Sequence, residues 1–261
     1  MRGQRGFALI IVLWSIGLLA LLAVGVVGNA SREAMLTSTL RAQAVARAAA
    51  DAVLSEKVLE MLQSGSIDPA PRRFGTAAVA VNAVDLSGRM NPNIASTRML
   101  QGLLLRLGMA PQTAESLAAA IADWRTPGLS PSPHGAKAAQ YRAAGMTYGP
   151  PGRPFQHLDE LGYVLGMTPA ILAALKPHLT LWSTSDPDPA AADALVLGAL
   201  RSAGIQPVAA VNTQARVIAF TATATLPDAP QVTRRAVIRF GFSPDGRGWR
   251  VLAWDDGATG E

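Results

Sequence analysis

The sequence predicts an α+β fold: a long, membrane-spanning N-terminal helix, an antiparallel sheet, and an all-helical domain inserted within that sheet. Three observations carry this. Residues 7–27, FALIIVLWSIGLLALLAVGVV, form a run of twenty-one residues without a charge. Residues 217–254 alternate apolar and polar positions between turn-forming clusters, the period of an antiparallel meander with one face for the core. Between them, residues 93–182 read as short helices punctuated by Gly and Pro.

At ~1.5 Å rise per residue, a helix over residues 7–27 reaches ~31 Å, about the hydrocarbon thickness of a bilayer. Three readings compete for it: a cleaved secretory signal, a signal anchor, or a prepilin-type N-terminus. Gly28-Asn29-Ala30 offers small residues for signal cleavage, but the apolar core of a secretory signal runs only ~7 to 15 residues. The helical pattern also continues past the apolar run. Residues 29–63 contain neither Pro nor Gly, alanine is abundant, and Val45, Ala49, Ala52, Leu59 and Leu62 recur at helical spacing. One helix is expected from about residue 7 to 64, with Gly65 as its stop.

Taken in order, residues 74–84 read as one strand with Val79, Val81 and Ala83 alternating, and residues 85–88 as a turn. Ser96 can cap a helix to Leu107, stopped by Gly108; a second helix covers about 112–124. A loop with three prolines follows over 126–134, then a short helix within 135–144. Residues 157–165 and 169–176 read as helices, the second with Thr168 as cap and Pro169 at its first position. Residues 179–182 read as a short strand, 183–189 (STSDPDP) as a boundary and 190–203 as a helix. Strands are expected over 217–225, with Ala236, Ile238, Phe240 and Phe242 sharing a face, and over 249–254. Turns are expected at 226–230 and 243–248.

Composition limits the function classes. Apolar residues make up 49% of the 261 positions, enough for a core beyond the anchor, and the absence of cysteine removes disulfides and thiolate metal sites. Taking Arg2 and Arg5 of the leader from the 23 basic residues leaves 21 against 18 acidic ones, which is no nucleic-acid signature. His134, His157 and His178 show no metal spacing, and no phosphate loop, nucleophile elbow or H-E-x-x-H occurs. Asp159 and Glu160 beside His157 suit the first turn of a helix on dipole grounds alone. An enzyme is not expected. Trp124, Tyr141 and Tyr148 flank the proline loop, as core packing or as an exposed contact surface.

The leader MRGQRG, its glycine and the phenylalanine opening a half-apolar helix resemble the class III signal of type IV pilins and pseudopilins. The resemblance implies that a prepilin peptidase cuts after Gly6 and that Phe7 becomes the methylatable first mature residue. Most such subunits carry glutamate at the fifth mature position; here it is Ile11, a departure typical of the K-type minor pseudopilin of type II secretion. The likeness to that family extends through VDLSGRMNPNIAS, AIADWR, YRAAGMTYGPPGRPFQHLDELGYVLGMTPAILAALKPHLTLWS and RRAVIRFGFSPDGRGWRVLAW, in the family's order. It implies a pilin-like sheet interrupted by a helical domain: leader 1–6, helix 7–64, first part of the sheet domain 65–92, helical domain 93–182, second part 183–261. It also implies a single-pass inner-membrane protein with its C-terminal domain in the periplasm, a tip subunit that promotes pseudopilus assembly and export across the outer membrane. The implied partners are the I-type and J-type minor pseudopilins, the prepilin peptidase and the inner-membrane secretion platform.

One family property is not expected to carry over. Members bind calcium in and around the helical domain through carboxylates, and Ca²⁺ needs several oxygen ligands with negative charge among them. Residues 126–158 contain no Asp or Glu, and Lys137 stands where the family often has an acidic residue. No cofactor is therefore expected. The rival reading is a membrane-anchored DNA receptor of helix-hairpin-helix type, since Asn91-Pro92-Asn93-Ile94-Ala95-Ser96 opens a helix pair. Such hairpins present a Gly-hydrophobic-Gly turn to phosphate, and Gly108-Met109-Ala110 and Gly166-Met167-Thr168 both lack the second glycine. No nucleic-acid partner is expected.

Overall fold

A computed structural model describes residues 4–205, 216–227, 230–241 and 248–257, with side chains described for 11–21 and from 35 onward. Its first element is α1 (Gln4–Ser64), one unbroken helix ended where Gly65 adopts a φ of 72° and donates its N–H to Met61 O. The C-terminal half of α1 lies on a sheet through Ala46, Ala49, Ala50, Val53, Leu54 and Val58, at i, i+3, i+4, i+7, i+8 spacing. This differs from the stripe expected from the sequence. Val45, Leu59 and Leu62 face solvent, because the helix approaches the strands closely and small residues at the contact permit that approach.

The expected membrane span is not met among the described residues, where no helix is long and apolar enough to cross a membrane. The apolar side chains described there, 11–21, cover only ~16 Å of helix at ~1.5 Å per residue; those of 7–10 and 22–27 lie outside the described residues.

The sheet has the order β1 (Arg72–Phe74), β2 (Ala77–Asp85), β3 (Arg216–Thr225), β4 (Val232–Phe240), β5 (Trp249–Asp255), every neighbour antiparallel. The single strand expected over 74–84 is a hairpin instead, turned at Gly75 with a φ of 61°, so that Phe74 pairs with Ala77. Ile218, Phe220, Ala222, Ala236 and Ile238 form the face under α1. The opposite face is not left to solvent as a one-sided meander would be: Val217, Ala219 and Val237 are buried beneath Leu86 and Trp182. Between β4 and β5 the register slips at Val237/Ile238, so Leu252 is an extra residue and the simple alternation of the last strand breaks. That slip brings Trp254 opposite Ala236 on the α1 side. Phe242, most of the turn 243–248 and part of the turn 226–230 lie outside the described residues.

Between β2 and β3 the chain builds α2 (Thr97–Arg106), α3 (Pro111–Arg125), α4 (Ala138–Ala143), α5 (Pro169–Leu175) and α6 (Ala194–Ser202). These helices enclose a second core containing Leu100, Leu103, Leu104, Leu117, Ile121 and Tyr141. Ser96 and Thr168 cap α2 and α5 as expected, their hydroxyls accepting from Met99 N and Ile171 N. Residues 158–163 form a 3₁₀ helix rather than an α-helix, and Glu160 reaches back to the N–H groups of Gln156 and His157. The strand expected at 179–182 is reduced to one parallel bridge from Leu179 to Met90, and α6 begins at Ala194, capped by Asp193, rather than at 190.

Candidate functional site

Three places collect the residues that the sequence singles out. The first is the N-terminal half of α1. Gly6 and Phe7 lie in its first turns, and their side chains fall outside the described residues. Ile11 is 50% exposed, and Val12, Leu13, Trp14, Ile16, Leu18, Leu19 and Leu21 are exposed with it. Nearer the sheet, Met35, Leu36 and Leu40 are exposed as well. Among the described side chains, α1 is thus dry where it meets the strands and apolar but uncovered beyond them.

The second is the turn 86–93, which ties the sheet to the helices. Leu86 N donates to Val217 O and the Ser87 hydroxyl accepts from Val217 N, joining the turn to β3. Ser87 O accepts from Asp188 N, and Asn91 Nδ2 donates to Leu181 O and Ser183 O. Gly88 is required by closeness, since a Cβ there would lie 2.2 Å from the carbonyl carbon and oxygen of Ala191. The boundary segment 183–189 is therefore stitched to the sheet side of the molecule and is no free linker. Nor does Asn91-Pro92-Asn93 open a phosphate-facing hairpin: the Asn93 amide exchanges two hydrogen bonds with the Phe155 backbone, and Arg125 donates to Pro92 O and Ala95 O. Burial pushes the Arg125 guanidinium below its ordinary value.

The third is the end of α3. Trp124 stacks on Phe155 and on Tyr163, with centroids 6.1 and 6.5 Å apart, and Tyr141 meets Tyr148 edge to face. Trp124 and Tyr141 are core residues while Tyr148 is 41% exposed, so the two readings of these aromatics divide between them. Burial raises the Tyr141 hydroxyl to about 12, and its oxygen accepts from Leu165 N. Lys137 is 4% exposed, and its ammonium donates to Asp123 O and Thr126 O, both at 2.5 Å. The Asp123 carboxylate accepts from Ser132 N. Gly135 makes room, since a Cβ there would lie 2.0 Å from Asp123 Oδ2. The carbonyls of Asp123 and Thr126 that converge here receive the Lys137 ammonium. His134 lies 3.7 Å from Glu115, His178 pairs with Asp193, and Asp159 pairs with Lys176, so the histidine-carboxylate cluster near 157 is taken up in caps and surface ion pairs.

Residues 79–184, from β2 through α5, match the family model described as type II secretion system (T2SS), protein K. That stretch of the chain is similar to this family. The matched segment contains the stitched turn, the aromatic centre and Lys137. The fold is similar to that of a chain in the crystal structure of the GspK-GspI-GspJ complex from the enterotoxigenic Escherichia coli type 2 secretion system. The two are 17% identical, with a TM-score of 0.61, and the likeness covers 88% of this chain and 100% of that one. A search of curated protein sequences finds no match.

Sequence reasoning missed one cluster. Asp51 of α1 accepts from Arg234 Nε and Trp254 Nε1, each at 2.8 Å, while Asp256 accepts from Arg234 and Arg47. Hydrogen bonds from Arg47 and Arg234 hold the Asp256 carboxyl below the usual carboxylate range. Nothing in the spacing of Arg47, Asp51, Arg234 and Asp256 announces the cluster, because the slip between β4 and β5 creates it. Lys57, buried and paired with Glu60 at 2.7 Å, is a second cation hidden in the α1 stripe.

Proposed function

We propose that this chain is the minor pseudopilin that caps the tip of the type II secretion pseudopilus, promoting its assembly and protein export across the outer membrane. The observation that carries this is α1: a single 61-residue helix whose C-terminal half is packed on the sheet while the described apolar side chains of its N-terminal half are uncovered. In this reading residues 7–27 hold the precursor in the inner membrane and later pack within the fibre, with the C-terminal part of the chain in the periplasm. The charge-free run supports membrane insertion. A prepilin peptidase cuts after Gly6, and Phe7 becomes the methylated mature terminus. The partners are the I-type and J-type minor pseudopilins, as in the complex of the similar structure, together with the inner-membrane platform.

Ile11 has a physical meaning at a tip. A subunit with no neighbour above it has no terminal amine to answer, and a carboxylate there would be costly in lipid. The helical block, standing as a domain inserted between paired strands, obstructs the stacking of a further subunit. The Lys137 ammonium closes the loop where a metal would otherwise be needed, so function does not depend on calcium at this place.

The test is complementation of a strain lacking this chain, read as export into the medium and as co-purification of the I-type and J-type subunits. The full chain restores both. Ile11→Glu keeps export within about twofold of wild type, because a tip subunit meets no neighbour's amine at this position and one carboxylate in a long apolar helix is a limited cost; complete loss of assembly with this variant contradicts the tip position.

A further inference from the structure

The last turn of α3 ends in carbonyls that need donors from outside the helix. Ala122 O accepts from the Thr126 hydroxyl, and Trp124 O accepts from Gly152 N. Asp123 O and Thr126 O accept from the Lys137 ammonium, at 2.5 Å each. Lys137 reaches them from beyond the proline loop, at the start of α4, where its own N–H is fixed on Gln140 Oε1 at 3.0 Å. The side chain is turned inward and is only 4% exposed. Burying an ammonium is costly unless its surroundings answer the charge, and two carbonyls at the negative end of a fifteen-residue helix do so. Carbonyl oxygens converging on one point are also the neutral part of a hard-cation shell. The carboxylates that complete such a shell are missing from the loop, since residues 126–158 contain no Asp or Glu.

We infer that Lys137 is a tethered cation in a carbonyl cradle, and that this cradle takes a divalent ion instead once position 137 carries a carboxylate. The inference deepens the calcium-independent reading of the loop given above and is separate from the tip position. In the native chain an ammonium and a divalent ion cannot share two carbonyls, because like charges so close repel. Position 137 is therefore the switch. An aspartate is shorter than a lysine by roughly one Ca²⁺–oxygen bond, ~2.4 Å, so an introduced carboxylate with its ion spans the gap that the lysine stem spans. With one carboxylate added to two carbonyls the site is weak, in the ~10⁻⁴–10⁻³ M range of extracellular modules.

The test follows thermal melts of the full chain in detergent, without calcium and with about 10 mM calcium, a concentration above that range. Lys137→Met keeps the stem and removes the charge; its melting temperature falls by at least about 5 °C and calcium does not restore it. Lys137→Asp falls at least as far without calcium and recovers by about 5 °C or more with it, while the wild-type melt stays put. Terbium, which takes the same oxygen ligands, gives Lys137→Asp an emission excited through Trp124 that exceeds the wild-type level and that calcium competes away. A Lys137→Met melt equal to wild type overturns the inference. So does a Lys137→Asp chain whose melt and terbium emission ignore calcium, or one that stays unfolded in its presence. Failure of the tip reading is a separate result: export that persists when the whole chain is deleted.

Discussion

The two cores of this molecule are held together by different means. Where α1 meets the sheet, alanines carry much of the contact, Ala46, Ala49 and Ala50 with Ala222, Ala224 and Ala236, and apart from the buried Lys57 paired with Glu60 its polar links sit toward the rim. Asp256 and Arg47 there are exposed, so water competes for their ion pair. In the helical block the side chains are larger, and polar groups are inside. Lys137, Asp123, Asn91 and the Tyr141 hydroxyl are buried and each has protein partners. The lesson is one of sensitivity: removing a partner inside the block strands a desolvated group, whereas removing one at the rim returns both ends to water.

Substitutions can sharpen this contrast, with thermal melts of the full chain in detergent as the measurement. The largest effect is expected from Lys137→Ala, which leaves two inward-facing carbonyls without a donor and removes charge-assisted bonds; a loss of about 3 kcal/mol is expected. Addition of a calcium chelator to the wild-type protein leaves its melt unchanged, and a shift of several degrees contradicts the assignment of Lys137 as the resident cation. Gly88→Ala comes next, at about 2 kcal/mol, because its methyl meets the Ala191 backbone, which is not free to move away. A melt equal to wild type shows that the stitched turn is looser than its contacts imply.

Tyr141→Phe is expected to cost about 1 kcal/mol, the bond to Leu165 N. It has a spectroscopic counterpart. Since burial raises the hydroxyl to about 12 in the folded chain, the stabilising proton is fully held below the ordinary tyrosine range and is lost as the pH climbs through about 12. An alkaline absorbance titration shows a late component from Tyr141, which Tyr141→Phe removes.

The smallest effect belongs to the rim. The Asp256 carboxyl is depressed in the folded state, so its contribution is present above the ordinary carboxylate range and fades as the pH falls through its lowered value. The melting temperature of wild type therefore falls more than that of Asp256→Asn on acidification below about pH 4, the ordinary carboxylate value. Parallel curves for the two proteins contradict the pairing of Asp256 with Arg47 and Arg234.

What the sequence made legible follows from which interactions are local. The stop at Gly65, the caps Ser96 and Thr168, the long α1 and the strand pattern of Ala236, Ile238 and Phe240 depend on near neighbours, and each could be read along the chain. The missed features depend on distant partners. Gly75 turns one expected strand into a hairpin, a one-residue slip at Leu252 rearranges β5, and residues 158–163 tighten into a 3₁₀ turn. The α1 stripe departs from the spacing of the larger apolar residues because close helix-sheet approach selects small ones. At the candidate site, the lack of carboxylates from 126 to 158 was plain, but not that Lys137 turns inward to bond two carbonyls.

Entry into the pseudopilus pathway would leave its mark on the N-terminal peptide, whose mass is read from membrane-derived protein. A mature chain beginning at Phe7 with a methylated amine is expected. A chain that retains Met1, or one that begins at Ser31 after signal-type cleavage, contradicts it.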